Sequence, residues 1–329
     1  MTTDQQTFVD NGYTITLSEP AALLGRREVV QEWHERALAS DNLYAFYQSP
    51  LWWQYTLHNN LNDYVLRLKD AQQATMLEIR DDAGRLVCLA GLYRDEYGLC
   101  FRYKERVLCK KQIPVVRVAG GAPLLLKQQA GLLVLFAKAA LAAFSDCTAV
   151  HIPWLPTEST LFASLQSLHA VTPYLPCREY ATHFSISLYP TFDAYLARLS
   201  HKTRYQVKKA VKKLREQCAN QMELVRVEQA EQVQFFLDAA TAVSGNSWQY
   251  AALGPQMENS SEEVERYSTF ARQGLLRCYL LRCNGESVAF VRGFQFGGVY
   301  YYSRTGFDAA FHAYAPGKVL LYLVLEDLH

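Results

Sequence analysis

The residues with most to offer chemically lie near the end of the chain. Tyr314-Ala315-Pro316-Gly317-Lys318-Val319 follows a strand-patterned run, Val299 to Gly306, and opens an apolar periodic run that predicts a helix from about Gly317 to Leu328. Pro and Gly at a helix start leave the first backbone N–H groups without acceptors. Those groups and the positive end of the helix dipole make an anion site. Gly317 lets an anion approach the backbone, and Lys318 adds a charge. A pyrophosphate is one natural occupant. An ordinary strand-to-helix turn punctuated by Pro and Gly is the plainer alternative.

Acid–base and polar aromatic candidates gather in sequence around this loop: Trp248, Tyr250, Tyr301, Tyr302, Asp308 and His312. Strand alternation puts Tyr300 and Tyr302 on one face and Tyr301 on the other. His312, just ahead of the loop, is a candidate base. A third feature is the basic run from Arg198 to Arg215. At helical spacing Val207, Val211, Leu214 and Cys218 share one face. Arg204, Lys208, Lys212 and Arg215 line a neighbouring one, and Ser200 is a fitting N-cap. The run reads either as a solvated amphipathic helix or as a basic wall for an anionic ligand, such as a coenzyme phosphate, a nucleotide-linked sugar or tRNA.

The elements that must position these groups follow from periodicity. In the first half, helices are expected over Glu28 to Ala39, Gln48 to His58 and Gln128 to Phe144. Strands are expected over Tyr64 to Leu68, Thr75 to Arg80, Leu86 to Arg94, Val115 to Val118 and Ala149 to Ile152. In the second half, a strand over His183 to Leu188 precedes helices over Phe192 to Leu199 and His201 to Gln217. A strand over Met222 to Val227 and helices over Ala230 to Ser244 and Glu262 to Arg272 follow. Three strands joined by hairpins at Asn284-Gly285 and Gly297-Gly298 then lead to the anion loop. Ile79–Leu92 aligns without a gap on Leu281–Phe294, with Arg80 on Arg282 and Gly91 on Gly293. Together with the element order this predicts two copies of one αβ unit. Gly120-Gly121-Ala122-Pro123 is the first copy's counterpart of the anion loop, and it lacks a basic residue directly after it.

Length, with 329 residues, fits about two domains. A formal net charge of +1 argues against wholesale nucleic-acid coating. The polar Met1 to Gln6 does not read as a signal peptide, and Gly131 to Phe144 is too short to span a bilayer, so a cytoplasmic location is expected. The eight cysteines form no CxxC pair and are expected as reduced, partly buried thiols, with no metal site.

Four stretches carry a family resemblance: Phe46-Tyr47-Gln48-Ser49-Pro50-Leu51-Trp52-Trp53, then Tyr195 to Arg204, then Trp248, then Tyr314 to Leu328. In this order they resemble the two-domain, GNAT-type acetyltransferase-like proteins of the cellulose and exopolysaccharide branch, relatives of the Fem-type peptidyltransferases. The resemblance implies an α/β (α+β) protein of two GNAT-like units with mixed, mostly antiparallel sheets flanked by helices. The units are expected at 1–180, degenerate, and 181–329, carrying the acyl-CoA loop. It implies acetyl-CoA or another acyl-CoA as co-substrate, held by Tyr314, Ala315, Pro316, Gly317, Lys318 and Val319. Tyr302, Asp308 and His312 become the catalytic candidates, and Trp248 and Arg204 the substrate-binding ones. The acceptor is expected to be a small molecule or glycan precursor. Transfer from aminoacyl-tRNA, and a non-catalytic partner-binding role, are the alternatives. Such proteins continue past the final helix into another strand and an Asp/Gly-rich segment. This sequence stops at His329, so its last sheet is expected to be incomplete and its activity in doubt.

Overall fold

The computed structural model describes residues 6–40, 44–58, 74–103, 106–125, 130–153, 155–167, 184–247, 250, 254 and 257–329. The chain divides into two compact units, Met1–Arg178 and Glu179–His329. Among the described residues no helix is long and apolar enough to cross a membrane.

The first unit opens with β1 (Gln6–Asp10) and β2 (Tyr13–Ser18), then α1 (Pro20–Leu24), α2 (Arg27–Leu38) and α3 (Pro50–His58). β3 (Thr75–Arg80), β4 (Leu86–Tyr103), β5 (Arg106–Val118) and β6 (Leu124–Leu125) precede α4 (Ala130–Ala143), β7 (Ala149–His151) and α5 (Thr160–Ser167). The sheet order is β1-β2-β3-β4-β5-β7, with β6 beside β4, and only the β5–β7 pair is parallel. Period-two alternation sends Leu77, Ile79, Cys88 and Ala90 into one core with Leu132, Phe136 and Ala140 of α4. Gly91 must be glycine, because a Cβ there would lie 2.0 Å from the Trp53 ring of α3.

The second unit begins with α6 (Phe192–Arg198) and α7 (His201–Gln217), then β8 (Met222–Val227) and α8 (Val233–Gly245). α9 (Ser261–Arg272), β9 (Cys278–Cys283), β10 (Glu286–Phe296), β11 (Val299–Phe307) and α10 (Pro316–Leu328) complete it. Its antiparallel sheet has the order β11-β10-β9-β8. On one face Cys278, Leu280 and Phe290 pack with Phe236, Leu237 and Ala240 of α8 and Tyr267 of α9. On the other, Tyr279, Leu281 and Val291 pack with Leu214 of α7 and Val319, Leu320 and Val324 of α10. Ser200 caps α7 by accepting the Thr203 N–H, as its position suggests.

Several expectations need correction. Phe184 to Leu188 pairs with no strand among the described residues, and all five are exposed, so their alternation reflects no buried face there. β4 and β5 run far beyond the expected Leu86–Arg94 and Val115–Val118; the outer half of β4 only half-buries Asp95, Tyr97 and Leu99, and that of β5 is exposed from Arg106 to Gln112, so neither reads as a core strand. Cys218 and Cys283 are joined in a disulfide with Cα atoms 5.0 Å apart rather than reduced. The buried face of α7 and the end of β9 share one layer, which a separation of 65 residues hides. The expected strand Tyr64 to Leu68 lies outside the described residues.

Candidate functional site

The loop is built from the end of β11. Asp308 accepts the Ala310 N–H at 2.8 Å and caps a short 3-10 turn, Ala309–Tyr314. It also accepts from Asn246 Nδ2 at 3.0 Å, and the Ala309 N–H donates to the Asn246 carbonyl at 3.1 Å. The chain then passes through Ala315 with φ 52° and ψ 51°, the left-handed conformation. A non-glycine residue there costs roughly 1–2 kcal/mol. Backbone strain of this kind concentrates where a ligand is clamped.

At the start of α10 the free donors are fewer than the sequence suggests. Lys318 and Val319 both donate to the Ala315 carbonyl, at 3.0 and 3.2 Å, because an N-cap carbonyl takes the first helical bonds. Pro316 has no N–H. The Gly317 N–H has no acceptor among the described residues. A Cβ on Gly317 would meet only Phe307 Cδ1, at an ordinary 3.5 Å, so packing does not demand glycine there. Lys318 is exposed and in no ion pair among the described residues. α7 holds the loop from the side. Lys213 Nζ donates to the Ala313 carbonyl at 3.2 Å and stands 5.2 Å over the Tyr314 ring, and Tyr314 Oη donates to Gln217 at 2.7 Å.

The acid–base candidates fall in different settings. Tyr302 packs on the α7–α10 side of the sheet and donates to Thr305 Oγ1 at 3.3 Å. Burial pushes its phenol up, against a smaller opposite pull from Thr305, so it stays protonated at neutral pH. Tyr301 stacks on Phe294 with ring centroids 4.7 Å apart. His312 is exposed on the capped turn, its ring 6.3 Å from that of Phe307. Arg204 donates to the Leu196 and Ala197 carbonyls at 3.2 and 3.3 Å, at the α6–α7 corner. Trp248 lies outside the described residues. No cluster of His, Cys, Asp and Glu among the described residues is placed to hold a metal.

Two features escaped the sequence reading. The first is a cavity of about 430 Å³ lined by Thr241, Ser244, Gly245, Asn246, Tyr250 and Met257. The Thr241 and Ser244 hydroxyls are buried there without partners among the described residues, and Asn246 links the cavity to Asp308. The second is a β-bulge. Arg292 pairs with Arg304 but Gly293 with Tyr302, so Ser303 is the extra residue and takes a 2.6 Å hydrogen bond from Arg292. A bulge leaves one backbone N–H out of the ladder, free to point at a ligand. Gly293 was the available signal, since a Cβ there would lie 2.0 Å from Tyr300 Oη.

A mostly antiparallel sheet with helices on both faces, running by its edge strand into such a loop, is a GNAT-like arrangement. Residues 201–329 match the Acetyltransferase (GNAT) domain family. The match takes in α7 to α10 and the whole second sheet. The crystal structure of FemX overlays on 91% of this chain and 84% of that one, with a TM-score of 0.53 at 11% identity, a likeness of fold. The C-terminal domain of a putative lysylphosphatidylglycerol synthetase from Agrobacterium fabrum overlays more loosely, with a TM-score of 0.45 at 11% identity over 92% of this chain and 75% of that one. N-myristoyltransferase from Saccharomyces cerevisiae with bound myristoyl-CoA gives 0.37 at 8% identity over 99% and 72%. No curated protein matches the chain. Within the matched region the residues present suit an acyl-CoA: a Gly317 N–H at a helix start with no acceptor among the described residues, an exposed Lys318 and a backbone open to close approach.

Proposed function

We propose that the Glu179–His329 unit transfers an acyl group from acyl-CoA to an amine or hydroxyl by direct attack in a ternary complex. The observation that supports this most is the Gly317 N–H, left without an acceptor among the described residues at the head of α10, inside the GNAT-matched region. Gly317 and Lys318 would receive the pyrophosphate, with Tyr314, Ala315, Pro316 and Val319 shaping the loop. Acyl-CoA supplies an activated thioester. As the acceptor's nitrogen or oxygen bonds to the thioester carbon, the His312 ring accepts its proton; the C–S bond breaks, Tyr302 Oη, kept protonated by burial, gives its proton to the departing CoA thiolate, and Asp308 orients the turn that carries His312. The finer reading of the acceptor, a cell-envelope or exopolysaccharide precursor, rests on the sequence resemblance carried in order by 46–53, 195–204, Trp248 and 314–328.

Calorimetry with acetyl-CoA and longer acyl-CoAs tests the reading. Binding is expected, and Gly317→Leu is expected to weaken it by about 1–3 kcal/mol, the range for a desolvated polar group deprived of its hydrogen-bond partner. Absence of both heat and a thermal shift with every acyl-CoA overturns it. A second reading, an aminoacyl-tRNA donor, draws on the exposed Lys202, Lys208, Lys209 and Lys212 of α7. Tight, salt-sensitive tRNA binding without acyl-CoA binding favours it.

A further inference from the structure

Beyond the register Asp95↔Val115 the β4–β5 pair has no neighbouring strand on either side among the described residues. The eight residues from Glu96 to Tyr103 therefore form, with their partners, a two-stranded ribbon about 25 Å long at the usual strand rise. Such a ribbon is marginal in water by itself, and apolar side chains on it stay wet unless something covers them. Phe101 is 53% exposed, Val107 44% and Leu108 69%. Leu108 is the bulged residue, skipped where the register passes from Phe101↔Cys109 to Arg102↔Val107. Phe101 and Val107 lie on opposite faces of the ribbon, so both faces are apolar near its end. The ribbon's sequence is predominantly basic, with Arg102, Lys104, Arg106, Lys110 and Lys111 against Glu96 and Glu105. Arg106, Lys110 and Lys111 are exposed and in no ion pair among the described residues.

We propose that this ribbon docks the protein on an anionic lipid surface, independently of the acyl-transfer reading. Aliphatic and aromatic side chains interleaved with Lys and Arg are the chemistry of a bilayer interface. The apolar groups enter the headgroup region, and the cations meet lipid phosphates. Phe101 and Tyr103 offer bases stacking planes, but the exposed aliphatic surface of Val107 and Leu108 is of no use to a single-stranded nucleic acid, which therefore fits less well. A second copy fits less well too, because it would set the Arg106, Lys110 and Lys111 cluster against another of the same sign.

Co-sedimentation of the full chain with vesicles of phosphatidylglycerol and phosphatidylcholine in a one-to-three ratio, against phosphatidylcholine alone, tests this. The anionic vesicles should bind at least about tenfold more protein, and added salt should release it. Lys110→Glu with Lys111→Glu, and separately Leu108→Ser, should each lower binding about tenfold while the melting temperature stays unchanged. Equal binding to both vesicles, no binding, or binding that survives both variants overturns the proposal. So does a self-association or RNA binding abolished in these variants with no vesicle binding in the unaltered chain.

Discussion

In the first unit β5 runs into Gly120-Gly121-Ala122-Pro123, and in the second β11 runs into Tyr314 to Lys318. The hairpins ahead of these loops use the same devices. Arg80 donates to the Gly84 carbonyl across one turn, and Arg282 to the Gly285 carbonyl across the other. Gly91 makes room for Trp53, and Gly293 for Tyr300. The loops themselves differ. Gly120 to Pro123 are all buried, Gln48 donates to the Ala119 carbonyl, and Tyr47 lies against Gly120. The second loop keeps the Gly317 N–H unpaired among the described residues and Lys318 in solvent. One strand-to-loop scaffold thus either fills its loop with its own aromatic side chains or leaves a donor for a ligand.

The sharpest way to break this comparison is to place side chains on both loops. At Gly120, with φ +66°, a Cβ would lie 2.5 Å from Tyr47 Cβ and 3.0 Å from its backbone. Gly120→Val should cost about 3 kcal/mol or more, combining overpacking with left-handed strain. Gly317→Leu should change stability by less than about 0.5 kcal/mol, because its neighbourhood is open. Denaturant melts of both variants decide it; equal losses would mean that both loops are structural turns.

Next in size is the ligand side of the comparison. Gly317→Leu should weaken acyl-CoA binding by about 1–3 kcal/mol, whereas no substitution at Gly121 in a chain that remains folded should alter that affinity. An effect from Gly121 would place a ligand site in the first unit.

A smaller effect concerns how α10 is anchored at its far end. Asp327 accepts from Tyr279 Oη and Arg277 Nη2, each at 2.7 Å. Its burial opposes the charge, but the Tyr279 and Arg277 hydrogen bonds and the Arg226 and Arg277 charges outweigh it and hold the carboxyl below the usual range. A depressed folded pKa gives stability that is present above the unfolded value near 3.9 and lost as pH falls through the folded one. The unaltered protein should therefore weaken below about pH 4. Asp327→Asn should start on the order of 1 kcal/mol less stable at pH 7 and fall less steeply. Parallel slopes would remove Asp327 from the account of acid lability.

Much of this was legible in the sequence where burial follows a period. Met222 to Val227 alternates and forms β8 with those bounds, and the hairpin at Asn284-Gly285 takes positive φ at both residues. The outer ribbon was not legible, because Tyr97 and Leu99 are only half-buried and Arg106 to Gln112 is exposed throughout. Gly317 was legible as a residue type, but the saturation of Lys318 and Val319 by Ala315 follows from one backbone angle. Asn246 was invisible as a partner of Asp308, since 62 residues separate them and only the fold brings them together. The Cys218–Cys283 bond was hidden for the same reason.

The smallest effect tests whether the second loop is strained because it is open. Ala315 sits at φ 52°, where glycine would carry no penalty from a Cβ. Relief of about 1–2 kcal/mol from the left-handed region is offset by roughly 0.4–1 kcal/mol of extra unfolded-chain entropy. Ala315→Gly should therefore raise stability by on the order of 0.5 kcal/mol, a shift of a degree or two in melting temperature. The loop should also hold the Gly317 N–H less firmly, so acyl-CoA affinity should fall slightly even as stability rises, because a freer loop must be ordered on binding. A gain in both would mean that Ala315 is merely a suboptimal cap. A rise in stability with a loss of affinity would tie the left-handed residue to the ligand, and leave the buried, glycine-lined loop of the first unit as its relaxed counterpart.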